Sequence, residues 1–393
     1  MCRNTRGWPS APSPPSHAMV VWSTSMVSVG AGPVVASMVA SRILYGGRGS
    51  YDSDATHAFN LGPPQGMRHR LLTALLTIAL VLGGCATHLI PPGPPVGPPR
   101  EAQDAFVMPD GTRLPYRVWL PDGPPWAVVL ALHGMNDSRD AWEYPAPDLA
   151  ANGVAVFAPD QRGFGDTAGR GYWPGTEALV DDARTMTLLL RERYPHTKLY
   201  LMGESMGAAV LMCLATSPHP PPVAGYVLVS PAVWGRADMN VFMRVGLWLM
   251  ANLVPGFEVT GQVAHIQASD NREAIKRLSE DPLTIHETRF DAVRGLVNLM
   301  DAALAAAPEF RAPALFMYGG KDELIPKDAT TATWRALPPG PVRAFYPADY
   351  HLMLRDHERQ APIDDILAWM ARPDDPLPSG ADRAAAAWLA KEK

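Results

Sequence analysis

An apolar run, Leu199–Met202, leads straight into Gly203-Glu204-Ser205-Met206-Gly207, and Ala208–Ala215 then continues as a helix-forming stretch. A strand that becomes a helix within five residues must turn sharply, and flanking glycines let the backbone do so. Such a turn sits at the end of a buried strand, which points to a sheet covered on both faces. The rest of the chain from about residue 104 fits that demand. Trp126–Leu132, Val154–Ala158, Tyr226–Ser230, Ala314–Tyr318 and Val342–Tyr346 are short apolar runs of the kind a doubly covered strand shows. Helical stretches separate them. In one, Leu179, Ala183, Met186 and Leu190 fall on a single face. Ala105–Met108 and Leu114–Leu120 flank Pro109-Asp110-Gly111 and read as an opening hairpin. The expected class is α/β, with a mostly parallel central sheet and helices on both faces.

Residues 231–311 break this rhythm and read as a helical cap inserted between two strands. Within it, Val241–Val254 is apolar nearly all round, so it is expected to bury more than one face, as a pocket lining or as core. Phe290–Ala307 is a second helical stretch.

The N-terminal part reads differently. Residues 1–66 show no sustained period and do not read as a folded unit. Met67-Arg68-His69-Arg70, the apolar run Leu71–Leu82 and Leu82-Gly83-Gly84-Cys85 then follow the layout of a secretory signal peptide. A signal peptide begins a chain, so translation is expected to start at Met67, with 1–66 a mis-assigned extension. Residues 85–103 include Pro91-Pro92-Gly93-Pro94-Pro95-Val96-Gly97-Pro98-Pro99, a semi-rigid spacer. The globular part is expected over 104–372, with a C-terminal tail over 373–393.

The net charge of −5 gives no long-range pull on nucleic acid. The three cysteines are Cys2, Cys85 and Cys213, and no C-x-x-C, H-E-x-x-H or His/Cys cluster is present. No metal site, cofactor or disulfide framework is expected.

Ser205 is the candidate nucleophile, because the turn presents it at the end of a strand and above a helix N-terminus. A serine needs a base. Among His219, His265, His286, His351 and His357, His351 is preferred, since it follows the strand-like Val342–Tyr346 within a short loop. His357 is the rival, but it follows Arg355-Asp356 and reads as solvated. The acid that orients the base is expected to be Asp322, in the loop after Ala314–Tyr318, with Glu323 and Asp349 as alternatives. Backbone N–H groups of Met206 and of Met135, in His133-Gly134-Met135, are the expected oxyanion donors. His133 is expected to be structural, and Asp160-Gln161-Arg162-Gly163-Phe164-Gly165 to support the site.

With these residues in view, 104–372 resembles the monoacylglycerol lipase and lysophospholipase-like branch of the α/β-hydrolases. The resemblance rests on His133-Gly134-Met135, residues 160–165, Gly203-Glu204-Ser205-Met206-Gly207, Gly320-Lys321-Asp322 and His351. It implies the α/β-hydrolase fold and the order Ser205, Asp322, His351, with Met135 and Met206 as oxyanion donors. It also implies a lipid-like ester substrate. Two departures loosen the substrate inference. Glu204 stands where this branch more often has His, and Asp166-Thr167 where Ser is usual. An aminopeptidase or acyltransferase using the same triad stays open, with Glu258, Asp270, Glu273 and Glu280 available to bind a free amine. A non-catalytic envelope lipoprotein is the reading from another class. Leu82-Gly83-Gly84-Cys85 resembles the lipobox of bacterial lipoproteins. That implies Cys85 as the lipidated residue, a membrane anchor and, with Ala86 next, an outer-membrane location facing the periplasm.

Overall fold

The computed structural model describes residues 89–260 and 266–392. The expected signal peptide and Cys85 lie outside the described residues. Among those described, no helix is long and apolar enough to cross a membrane.

The expected hairpin forms from β2 (Ala105–Val107) and β3 (Arg113–Trp119), with β1 (Arg100–Glu101) added antiparallel to β2. β3 buries Leu114, is otherwise half-buried or exposed, and pairs antiparallel with β5 (Val154–Pro159). β5, β4 (Ala127–Leu132), β6 (Lys198–Glu204), β7 (Gly225–Val229), β10 (Ala314–Gly319) and β11 (Val342–Tyr346) then run parallel. The order across the sheet is β1-β2-β3-β5-β4-β6-β7-β10-β11. Every residue of β4, β5, β7 and β10 is buried, which is why these strands read as unbroken apolar runs.

Helices pack on both faces. α1 (Pro145–Ala151) and α8 (Gln360–Ala371) share one core layer with Val129, Val156, Tyr200 and Met317. α2 (Thr176–Arg193) and α3 (Met206–Ala215) share the other with Leu130, Phe157 and Leu201, together with Trp334 of α7 (Lys327–Ala336). Leu179, Ala183, Met186 and Leu190 are all buried on α2, on the face expected.

The insertion between β7 and β10 holds α4 (Val241–Leu253), α5 (Arg272–Glu280) and α6 (Phe290–Ala306). It also holds a small antiparallel pair, β8 (Glu258–Thr260) and β9 (Glu287–Arg289), which the sequence reading placed in no strand. Three-residue strands are too short to show a period.

Three expectations differ from what is found. α4 does not bury several faces: Ala251 is its one buried residue, while Phe242 is 84% and Trp248 62% exposed. Its apolar residues face outward and toward the cavity described below. The proline-rich stretch does not stand free. Ile90 N–H donates to the Trp173 carbonyl at 3.1 Å, Val96 N–H to that of Pro109 at 2.8 Å, and Gly93 N–H to Asp110 Oδ2 at 3.1 Å. Residues after 372 do not simply trail away, since they carry α9 (Ala381–Lys391). Ala381 joins one core layer and Ala385 the other, and Trp388 stacks on Phe345 of β11 at 4.6 Å. α9 therefore closes the β11 edge of the sheet, where unpaired strand groups would otherwise invite a second chain.

Candidate active site

β6 delivers Ser205 to the end of the sheet next to α3. Ser205 has φ 54° and ψ −112°, a backbone state that L-residues seldom adopt. The elbow holds it there through main-chain bonds. Ser205 N–H donates to the Val229 carbonyl at 2.9 Å, and the Ser205 carbonyl accepts from Ala209 and Ala232. The two glycines are needed for space. A Cβ on Gly207 would lie 2.2 Å from the Leu132 carbonyl oxygen, and one on Gly203 2.6 Å from the Ala208 nitrogen.

His351 and Asp322 come from neighbouring loops, after β11 and β10. His351 Nδ1 lies 2.7 Å from Asp322 Oδ2, and both side chains are buried. Asp322 Oδ1 accepts the amides of Leu324 at 2.8 Å and Ile325 at 2.9 Å, which leaves Oδ2 for the imidazole. Lys321 N–H donates to the Asp349 carbonyl, and Ser230 Oγ–H to the His351 carbonyl, so the two loops and β7 are tied together. Burial by itself lowers the His351 pKa. The charge and hydrogen bond of Asp322 outweigh it, and the net shift is upward.

Ser205 and His351 line one cavity of about 700 Å³. Gly134 and Met135 line it too, and a Cβ on Gly134 would sit 3.4 Å from Ser205 Cβ. Met206 opens α3, so its N–H is among the first four of a helix, which have no acceptor within it. His133 fixes the loop before Met135. Its Nε2 accepts the Gln161 amide at 3.0 Å, so Nδ1 carries the proton and donates to the Gly134 carbonyl at 2.8 Å. Burial lowers the His133 pKa, which keeps the ring neutral. Gln161 Nε2 donates to the His133 carbonyl, and the 160–165 loop thus braces the one at 133–137.

The rivals named from sequence lie elsewhere. His219, His286 and His357 are exposed, and His265 is outside the described residues. Glu323 is exposed and accepts the Gln267 amide. Asp349 is buried, with Oδ2 lacking a hydrogen-bond partner, and its pKa is pushed up to about 7 by burial and by Asp356 and Asp270. His357 is exposed as expected, but Arg355 and Asp356, the charged residues before it, are buried. Arg355 is a site residue that sequence reasoning missed. Its partners, Asp137 and Glu204, lie 218 and 151 residues away, and no local spacing marks them.

The rest of the cavity wall is largely apolar, with Trp234, Met239, Met243, Leu247, Val297 and Met300 contributed by the cap and its approach. Met243 and Leu247 are one helical turn apart on α4. Among the described residues there is no cluster of His, Cys, Asp and Glu that would hold a metal ion. A serine elbow, a buried His–Asp pair and a largely apolar cavity are together suited to acyl transfer through a covalent intermediate.

Known proteins are similar to this chain in sequence and in fold. A monoacylglycerol lipase of Mycolicibacterium smegmatis is 26% identical over 274 residues, covering 69% of this chain and 97% of the relative. A monoglyceride lipase of Rattus norvegicus is 24% identical over 282 residues, 70% of this chain and 93% of the relative. In fold, the chain is similar to a soluble variant of monoglyceride lipase from Saccharomyces cerevisiae, solved in complex with a substrate analog. The TM-score is 0.59 with 19% identity, over 71% of this chain and 97% of that one. Residues 123–358, more than half of the chain, match the family described as serine aminopeptidase, S33. The chain belongs to that family of hydrolases and has the α/β-hydrolase fold.

Proposed function

We propose that this enzyme hydrolyses carboxylic esters of lipid type, monoacylglycerols or lysophospholipids, through an acyl-enzyme on Ser205. Ser205 Oγ attacks the ester carbonyl while His351 Nε2 takes its proton. Asp322 holds the imidazole with Nδ1 protonated and stabilises the imidazolium. The N–H groups of Met135 and Met206 receive the oxyanion. His351 then gives its proton to the leaving alcohol. It next activates a water that releases the fatty acid and restores Ser205.

One observation carries the choice of substrate: the cavity around Ser205 is apolar and has no free acidic group. Its two carboxylates, Asp137 and Glu204, are both bonded to Arg355. A peptidase that removes N-terminal residues must meet a charged amine, and an unpaired ammonium in such a wall would be costly. Glu258, Asp270, Glu273 and Glu280, the acids available for that role, do not line the cavity. The outward apolar face of α4 beside it suits a substrate drawn from a lipid surface. Turnover of a monoacylglycerol and of a prolyl amide separates the two readings. The ester is expected to give a kcat/KM higher by about 10³-fold or more, because an apolar site rejects a charged group strongly. An amide turned over as well as the ester would overturn the ester reading.

The anchor is part of the same proposal. Lipidation at Cys85 would place the enzyme in a bacterial cell envelope, at the outer membrane facing the periplasm. Cells fed a labelled fatty acid should then yield a labelled chain, and Cys85→Ala should abolish the label. A Cys85→Ala chain that labels like wild type removes the anchor from this reading.

A further inference from the structure

Three loops that carry the chemistry converge on one buried guanidinium. Arg355 follows His351 by four residues, and its main chain is fixed by Arg355 N–H to the Leu352 carbonyl and by Asn271 Nδ2 to its own carbonyl. One nitrogen, Nη2, donates both to Asp137 Oδ2 and, at 3.1 Å, to Glu204 Oε2. Asp137 belongs to the loop after β4, two residues past Met135. Its other oxygen accepts the Ser138 amide at 2.8 Å, and its own N–H donates to the Gly134 carbonyl. Glu204 is the residue before Ser205 and ends β6. All three side chains are at most 7% exposed.

We propose that Arg355 is a positioning residue: through Asp137 and Glu204 it sets the loop bearing Met135, the serine elbow and the histidine loop in one register, so that the oxyanion donors are aligned before substrate arrives. The inference rests on the ester-hydrolase reading, in which Met135 and Met206 receive the oxyanion. The reason is geometric. Nothing else in the Gly134–Asp137 turn joins it to the elbow by a charged bond, and a peptide N–H on a short loop aims only as well as the loop is held. A donor displaced by about an ångström forfeits much of its effect on a developing charge. The clamp is also electrostatic. One of its carboxylates and its guanidinium act on His351, where Glu204 raises the imidazole pKa and Arg355 lowers it.

Arg355→Met alone strands two buried carboxylates and can fail to fold, so the decisive protein is Asp137→Asn/Glu204→Gln/Arg355→Met, in which no charge is left unpaired. On a short soluble ester this triple variant is expected to lose about 30–100-fold in kcat with little change in KM, the cost of misplacing one oxyanion donor. Affinity for a trifluoromethyl ketone, which captures Ser205 as a tetrahedral oxyanion adduct, should fall in parallel. A packing role alone would lower the melting temperature without moving that affinity. A folded triple variant with wild-type kcat, or one whose kcat falls while ketone affinity holds, overturns the inference. Glu204→Gln keeps an acceptor for Arg355 and therefore the fold. It should move the acid limb of kcat/KM to lower pH, and an unmoved limb also counts against the clamp. Failure of the underlying reading looks different, because wild-type enzyme would then neither turn over esters nor bind the ketone.

Discussion

Ser205→Ala is expected to leave a folded protein whose ester kcat is lower by about 10⁵–10⁶-fold, the scale on which removal of a triad nucleophile acts. The loss should be near total because no other group stands in for the hydroxyl. Thr284 is the other hydroxyl residue that lines the cavity, and it belongs to the segment between α5 and β9. Residual turnover would come from the oxyanion donors and binding alone. The fold should survive because the Ser205 main chain, not its side chain, makes the elbow's bonds to Val229, Ala209 and Ala232. Alanine also meets the same backbone demand at φ 54° as serine does. Circular dichroism and a fluorophosphonate probe check both halves. A variant that still labels, with the wild-type spectrum, would remove Ser205 from its role.

The second large effect is expected at Asp322→Asn. Asp322 Oδ1 is engaged by two backbone amides, so an asparagine would keep its carbonyl oxygen there and turn its NH₂ toward His351. Two donors would then face each other unless His351 gave up its Nδ1 proton and held one on Nε2. That tautomer has no lone pair facing Ser205. The expected cost is about 10³–10⁴-fold in kcat, as for the same change in another serine hydrolase. The pH profile should move as well. In the wild type Asp322 raises the His351 pKa above its ordinary value, and a general base works only when neutral, so activity should rise with pH through a midpoint above 6.5. Without the carboxylate the charge is gone, and the midpoint should shift to lower pH even as the plateau drops. A plateau within tenfold of wild type would show that another group orients the base.

Much of the framework was legible because its causes are local. A parallel strand covered on both faces has to be apolar throughout, so β4, β5 and β10 could be read nearly to the residue. The elbow was legible because its glycines answer to space that a side chain would fill. The Asp322–His351 pairing was anticipated from their places just past strand ends, where loops of such sheets collect their chemistry. What stayed hidden depends on distant partners or on what surrounds the molecule. Arg355 sits in a charged stretch that reads as surface, and the carboxylates that draw it inward come from two other loops. α4 is apolar enough to pass for core. Its exposed Phe242 and Trp248 are an exception to the rule that such residues pack inside, and only three-dimensional placement reveals it. The run at 381–391 is rich in alanine and lacks a strong apolar stripe, so nothing in it announces that it closes an edge.

That closing helix bears on how the enzyme is made. Its residues are made after the strands they cover, and Trp388 packs against Phe345 of β11 and Tyr318 of β10, the strands that lead into His351 and Asp322. Ser205, earlier in the chain, can take its place while synthesis continues. Asp322 and His351 follow strands whose outer flank stays open until α9 arrives. A chain released before α9 would carry Ser205, Asp322 and His351 on a sheet whose β11 edge is still uncovered.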